Sequence, residues 1–374
     1  MLDYELSLFD DSVPILAVTE LQCPLPAPEA LWTAVDAASW ATTMQVVYHL
    51  PPHMNSPILS NHIQTPSLCD LFQDFLQNNL QNNVSGSLKS LTPQKLRLLL
   101  HPIQAMLCHV RQLHSCLPES LGNSHMAAPL VNKDSMQKRI REIQGLLQQW
   151  YSLTMAYCAT DPHCALTRCN VVLYHLMYLN SVTNFPEIER LARREGFDDT
   201  NSFPHLELSL RHKRCIYGRE EAILHSGQVL RLLRQMAQTR RPSWWTAAMY
   251  RAVLILWADS VSHMDGDFKS EQLAEMSNMA ARPNHYKPSI VPIDQRGRDD
   301  PALSACIWRR SGIAVLSRLD GSAVGLDNPQ GILDYGIKMV DEADSSRIGD
   351  GIRRKMTGLL NNWKAVDSSI LASI

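Results

Sequence analysis

Apolar residues recur at helical spacing along most of the chain. Leu2, Leu6 and Phe9 fall at i, i+4 and i+7, which predicts one face of a helix at 1–9 with no capping residue ahead of it. An extended stretch, Pro14-Ile15-Leu16-Ala17-Val18, follows. Cys23-Pro24-Leu25-Pro26-Ala27-Pro28 then places prolines at alternate positions, which forbids helix and favours a stiff extended chain. Residues 29–34 read as a short helix with Trp32 buried, and Trp40 follows after a turn. Thr92-Pro93 starts a longer helix, with Thr as N-cap and Pro in the first turn. Within it Leu96, Ile103, Val110 and Leu117 repeat every seven residues, as do Leu99, Met106 and Leu113. A coiled-coil seam would dimerise through such a repeat. Pro102 interrupts it, so a core helix kinked at Pro102 is the favoured reading.

Met136, Ile140, Ile143, Leu147, Trp150 and Tyr157 form one stripe and predict a helix over 135–157. Asp161-Pro162 caps the next, through about 180. A short charged helix over 186–195 is closed by Gly196. Helices follow at 203–216, 220–238 and 243–263, the last ended by Asp265-Gly266-Asp267. Residues 50–67, with four prolines, and 78–90 read as loops and mobile insertions, and 118–134 as a further loop. Residues 282–301 read as a proline-rich connection too irregular for an element. Asp320-Gly321-Ser322 between Leu319 and Val324 is a strong turn signal and predicts one β-hairpin near 314–326. Helices close the pattern at 330–342 and 350–363. The fold class is therefore all-α: an irregular multi-helix domain with one small hairpin. Residues 1–117 form an N-terminal helical part and 135–374 a C-terminal one, read together as one continuous domain.

Composition narrows the function. Of 374 residues, 45% are hydrophobic and 19% charged, enough apolar mass for a sizeable core. A net charge of −2 lacks the basic excess of a protein that binds nucleic acid by neutralising phosphates. Local basic groups, Arg190/Arg193/Arg194, Arg211/Lys213/Arg214, Arg240/Arg241 and Arg353/Arg354/Lys355, read as solvated helix faces and helix ends. Nine cysteines, an odd number, and no basic n-region ahead of an apolar run fit reduced thiols in a cytosolic or nuclear setting. The longest apolar runs, 171–179 and 252–258, fall far short of the ~20 residues of a membrane span, so no membrane partner is expected.

The candidate chemistry is thin. Cys108, His109, His114 and Cys116 lie on one predicted helix. His109 and His114 point ~140° apart and Cys116 sits ~10 Å along the axis from His109, so one zinc cannot take them. Cys158, His163, Cys164 and Cys169 lack a CxxC hook, and no CxxC occurs anywhere. An all-α terpenoid cyclase would need carboxylates at helical spacing to hold magnesium diphosphate. Asp10-Asp11, Asn180…Glu187 and Asp299-Asp300-Pro301 each fail that test. No GxSxG, Walker loop or GxGxxG is present. We expect no catalytic residue, no cofactor and no metal in this chain. Trp244, Trp245, Tyr250 and Trp257 could line a small-molecule pocket, with core packing the favoured reading.

Two segments carry a family likeness. The first is Leu2-Asp3-Tyr4-Glu5-Leu6-Ser7-Leu8-Phe9, Thr19-Glu20-Leu21, Pro24-Leu25-Pro26, Leu31-Trp32-Thr33-Ala34 and Trp40. The second is Gly227-Gln228-Val229-Leu230-Arg231-Leu232-Leu233-Arg234, Arg241-Pro242-Ser243-Trp244-Trp245 and Tyr250-Arg251-Ala252, followed by Asp320-Gly321-Ser322, Ser346-Arg347, Asp350-Gly351-Ile352-Arg353-Arg354-Lys355 and Trp363. In this order they resemble the fungal-specific transcription factor domain, also called the middle homology region. The resemblance implies a helical regulatory domain acting in the nucleus. Its partners would be transcriptional coregulators or a regulatory small molecule, with a homodimer as an option. Zinc would belong only to a DNA-binding module that this chain lacks, so no sequence-specific DNA binding by the chain alone is expected. A helical interaction scaffold is the alternative.

Overall fold

The computed structural model describes residues 2–17, 20–48, 66–77, 91–115, 133–195, 212–262, 289–343 and 346–371. Most of the predicted loops at 50–67 and 118–134, all of 78–90, the Gly196 cap, the helix over 203–211 and the Asp265-Gly266-Asp267 stop lie outside these residues. The helices are α1 (Leu2–Asp10), α2 (Glu29–Trp32), α3 (Ala37–Val47), α4 (Leu68–Leu76), α5 (Pro93–Ser115), α6 (Lys133–Thr160), α7 (Ala165–Val182), α8 (Phe185–Ala192), α9 (Arg219–Gln235) and α10 (Trp245–Ser262). Strand β1 (Ile290–Pro292), helix α11 (Pro301–Arg309), strands β2 (Ile313–Ser317) and β3 (Ala323–Gly325), and helices α12 (Pro329–Asp341) and α13 (Arg347–Leu371) complete the chain.

The pattern of burial explains the packing order. In α7 every residue from Cys169 to Met177 is buried, and in α10 every residue from Ala248 to Ser262. A helix apolar on all sides must be surrounded. Accordingly α7 packs against α5, α6 and α9, while α10 packs against α8, α9, α12 and α13. The buried apolar side chains form one continuous cluster from Tyr4 to Leu359. In α5 the buried stripe is Leu96, Leu99, Leu100, Ile103 and Leu107, whereas Met106 and Leu113 are exposed. This is the 3.6-residue period of a core helix, not a 3.5-residue dimer seam. The helix also continues through Pro102.

The predicted hairpin is present. β2 and β3 pair antiparallel, with Val315 opposite Gly325 and Ser317 opposite Ala323. Gly321 takes φ +80° in the turn, a conformation that favours glycine. A third strand corrects the reading of 282–301 as irregular. β1 pairs parallel to β2, with Ile290 opposite Ile313 and Pro292 opposite Val315. Parallel partners carry no turn signal, and Pro292 argued against a strand; it is tolerated because β1 lies at the sheet edge.

Several local expectations fail. Among the described side chains of α1, Tyr4, Ser7 and Leu8 are buried and Phe9 is partly buried against the core, whereas Leu6 is half exposed; the side chain of Leu2 lies outside the described residues. Tyr4 and Leu8 stand four apart, so the helical period was read on the wrong phase. Trp32 is not buried: it is 76% exposed. Trp40 lies on a helix, α3, whose start is fixed by a capping box in which the Asp36 carboxylate accepts from Ser39 N. α4 begins with an analogous box between Ser67 and Asp70, and α11 with an Asp300 cap and Pro301 in the first turn. The sequence reading assigned no helix at α3, α4 or α11. α8 ends one turn before Gly196, with Arg194 in the left-handed region at φ +57°.

Candidate functional site

The four aromatic residues singled out on α10 and its approach each meet a different partner. Trp244 is buried and meets the Phe9 ring at 5.8 Å. Trp245 is partly buried and stacks under the Arg241 guanidinium at 4.7 Å. Tyr250 donates from its hydroxyl to Glu189 Oε1 at 2.8 Å, and the Lys355 ammonium binds the same carboxylate at 2.7 Å. Trp257 packs edge-on against Trp363 at 5.2 Å. These residues pin α1, α8 and α13 to the central helix.

The motif residues behind the family likeness hold helix against sheet. A Cβ on Gly227 would come within 2.7 Å of the Ile293 carbonyl oxygen, so only glycine lets α9 approach that backbone. Gln228 Nε2 donates to the Arg296 carbonyl at 2.8 Å. Arg234, from the end of the same motif, donates to Asp294 Oδ2 at 2.7 Å and to the Ser317 carbonyl. Asp294 has no exposed side chain; it also accepts from Tyr335 OH and from Ser317 N. Burial, followed by the Asp294 charge, pushes the Tyr335 hydroxyl up, so it stays protonated and donates.

Among the described residues Arg251 is the most deeply buried arginine or lysine, and it joins parts of the chain far apart in sequence. Its guanidinium donates to Asn180 Oδ1 at 2.6 Å, to the Phe9 carbonyl at 2.9 Å and to Asp11 Oδ2 at 2.9 Å. It lies 4.1 Å from the centre of the Phe185 ring. Arg111 holds the other Asp11 oxygen at 2.7 Å. Burial alone would raise the Asp11 carboxyl, but the two guanidinium charges outweigh it and hold it below the usual range.

A second buried polar group is built from histidines. His175 Nδ1 and His225 Nδ1 approach to 2.8 Å, which requires one ring to donate and the other to accept. The Tyr178 ring stacks on His225 at 4.0 Å, and Arg298 donates to Tyr174 OH at 2.7 Å beside the pair. Complete burial holds both imidazoles well below their ordinary range, so both are neutral.

In the first cysteine and histidine cluster two side chains bond to backbone carbonyls. Cys108 donates to the Ser12 carbonyl at 3.2 Å, and His109 Nδ1 to the Ala105 carbonyl at 2.8 Å. Burial pushes the thiols of Cys108, Cys158, Cys169 and Cys306 up, away from reactive thiolate. The side chains of His114 and Cys116 lie outside the described residues. Among the described residues, no group of three His, Cys, Asp or Glu could hold a metal ion, and no helix is long and apolar enough to cross a membrane.

One cleft, about 200 Å³, opens beside Arg234, Arg318, Tyr335, Lys338 and Glu342. It is smaller than the ~300–1,000 Å³ of ordinary ligand sites. Its cations are also spoken for: Arg234 pairs with Asp294, and Arg318 and Lys338 share Asp334.

The surface around α2 and α3 is different in kind. None of the eleven residues of α3 is buried, and none is charged. Trp32, Val35, Trp40 and Val46 are exposed there, as are Glu29 and Asp36. The sequence reading missed this face because the overall charge conceals an asymmetry. The first 88 residues hold nine Asp and Glu and no Lys or Arg, while the other 286 hold 35 Lys and Arg against 28 Asp and Glu. Counting charge by segment would have shown it.

Comparison with known proteins adds what geometry alone does not. No family model matches the chain, and no solved structure matches it. A protein named a transcription factor from Zymoseptoria tritici is 37% identical over 373 residues, spanning 96% of this chain and 36% of that protein. Transcription factor PfmaH of Pestalotiopsis fici is 38% identical over 97% of this chain and 35% of its own length. Transcription factor 1 of Elsinoe fawcettii is 37% identical, covering 96% and 35%. The chain is homologous to transcription factors. It spans about a third of the length of these relatives.

Proposed function

We propose that this chain is the regulatory region of a fungal transcription factor. It would act in the nucleus and modulate transcription by RNA polymerase II through protein or ligand contacts, without catalysis and without reading DNA itself. The observation that carries this is the similarity to proteins named transcription factors over nearly the whole chain. The finer likeness to the fungal-specific transcription factor domain rests on the motif residues, among them Gly227, Gln228 and Arg234, which here join α9 to the sheet.

The charge distribution supports a role other than DNA contact. Arg111, Arg219, Arg234 and Arg251 are engaged by carboxylates of the same chain, and the apolar α2–α3 surface is acidic, which repels phosphate. Residues 1–374 fused to an unrelated DNA-binding domain test the proposal on a reporter. A rise or fall in transcription relative to the DNA-binding domain alone is expected. No change in either direction would count against a transcriptional role and favour a helical scaffold.

A further inference from the structure

The described surface carries two apolar patches of opposite charge. The first is the α2–α3 face, where Trp32, Val35, Trp40 and Val46 stand exposed beside Glu29 and Asp36. The second lies where α11 meets the sheet. Ile290 and Ile313 are register partners across β1 and β2, and both are exposed, at 62% and 48%. Trp308, 52% exposed, stands at the end of α11 beside Arg309 and Arg310, just before β2 begins. β1 is also an edge strand of the sheet. Exposed apolar patches of this kind mark association surfaces.

We propose that the α2–α3 face of one copy of this chain seats on the Ile290–Ile313–Trp308 patch of a second copy. The pairing follows from charge. Residues 20–48, which hold α2 and α3, carry Glu20, Glu29 and Asp36 and no Lys or Arg, while Arg309 and Arg310 directly follow Trp308 in the second. Like faces would repel and unlike faces attract, so the contact is head-to-tail. Each indole can bury ~150–250 Å², and Trp and Arg are the side chains that dominate association energies. The contact also answers a local problem. α3 is an eleven-residue helix with no buried residue, and helices below ~12–15 residues are marginal in water without packing. The inference goes beyond the transcriptional proposal and does not depend on it.

Sedimentation equilibrium of the full chain across the micromolar range, at low and high salt, tests it. Reversible association is expected, weakened by salt. Trp32→Ala with Trp40→Ala should weaken it by roughly tenfold or more, and Trp308→Ala likewise. These side chains are exposed, so thermal melting should not move. The charge variants Glu29→Lys and Arg309→Glu should each weaken self-association, and an equimolar mixture of the two should associate again, because each restores a complementary face to the other. A chain that stays monomeric throughout overturns the proposal and leaves the α2–α3 face to a different protein. Association that ignores both tryptophan sets, or a mixture that fails to recover, overturns it equally.

Discussion

Arg251→Met should detach α1 from the body of the protein. The arginine is 2% exposed. Its loss leaves Asn180 Oδ1 and the Phe9 carbonyl without their donor, and takes one of two cations from Asp11. An orphaned buried acceptor costs ~1–3 kcal/mol, and breaking a buried ion pair from one side costs ~3–5 kcal/mol. Arg111 still holds Asp11 at 2.7 Å, so the sum does not reach its upper limit. We expect a loss of about 4 kcal/mol for Arg251→Met and at least as much for Asp11→Asn, which leaves the buried Arg251 cation without its carboxylate while the partly exposed Arg111 can still solvate. The double variant should show a coupling of about 2 kcal/mol. Urea unfolding gives these values, and hydrogen exchange locates them: the amides of α1 should lose protection before those of α7. A cost below about 1 kcal/mol, or unchanged exchange in α1, would refute the account. The acid limb provides an independent check. The Asp11 carboxyl is depressed in the folded state, so its contribution is complete above the unfolded value near pH ~4 and is lost as the pH falls through the lower folded value. Asp11→Asn should remove that part of the acid dependence.

Other consequences can be measured on the same preparations. His175 and His225 are held neutral when folded but protonate when unfolded, so the unfolded state binds more protons as pH falls. Stability should therefore drop by ~1.4 kcal/mol per pH unit for each histidine below pH ~6.5; His225→Phe should halve that slope, and a stability flat between neutral pH and pH ~5 would refute the buried pair. Gly227→Ala places a methyl 2.7 Å from the Ile293 carbonyl oxygen and should destabilise by ~1–3 kcal/mol, despite alanine's better helix propensity; a neutral or stabilised variant in urea titration would contradict the close approach. Trp257→Ala should cost ~3–5 kcal/mol as a core truncation, whereas Trp32→Ala should stay within ~0.5 kcal/mol, and equal effects in thermal melts would overturn the assignment of one to core and the other to surface.

What could be read in advance follows from how local each signal is. The long helices α5, α6, α9 and α10 announce themselves by periodicity, and the hairpin by Asp320-Gly321, because helix faces and tight turns are written in neighbouring residues. β1 was missed because its partner lies more than twenty positions away and nothing near Ile290 points to it. α3 and α4 had legible capping boxes at Asp36 and Ser67, but they sit beside tracts rich in Pro, Asn and Ser that drew the reading toward loop. Trp32 was expected inside on hydrophobicity alone, and a single residue's type does not say which side of a four-residue helix faces water. The α2–α3 surface was missed for another reason: its signal is an absence, of Lys and Arg over 88 residues, that a whole-chain charge averages away.

The polar contacts of the interior have a topological logic. Arg251 reaches Asp11 across 240 positions, Arg97 pairs with Glu5, Tyr4 OH donates to Met177, and Arg298 reaches Tyr174 and Gln148. Each of these ties a short terminal or connecting element to the long central helices. Apolar burial is tolerant of which surface is covered; a guanidinium between two named oxygens is not. Among the described side chains of α1 only Tyr4, Ser7 and Leu8 are buried, too small a face to choose its own seat, and the arginine supplies the choice. The reverse also holds: a chain cut after residue 12 keeps Arg251 in the middle of α10 with Asp11 and the Phe9 carbonyl gone. An uncompensated cation in that position is worse than a missing helix. The first eleven residues are thus part of the core's charge balance, and any dissection of this chain must carry α1 and Asp11 with α10 or replace Arg251 in the same step.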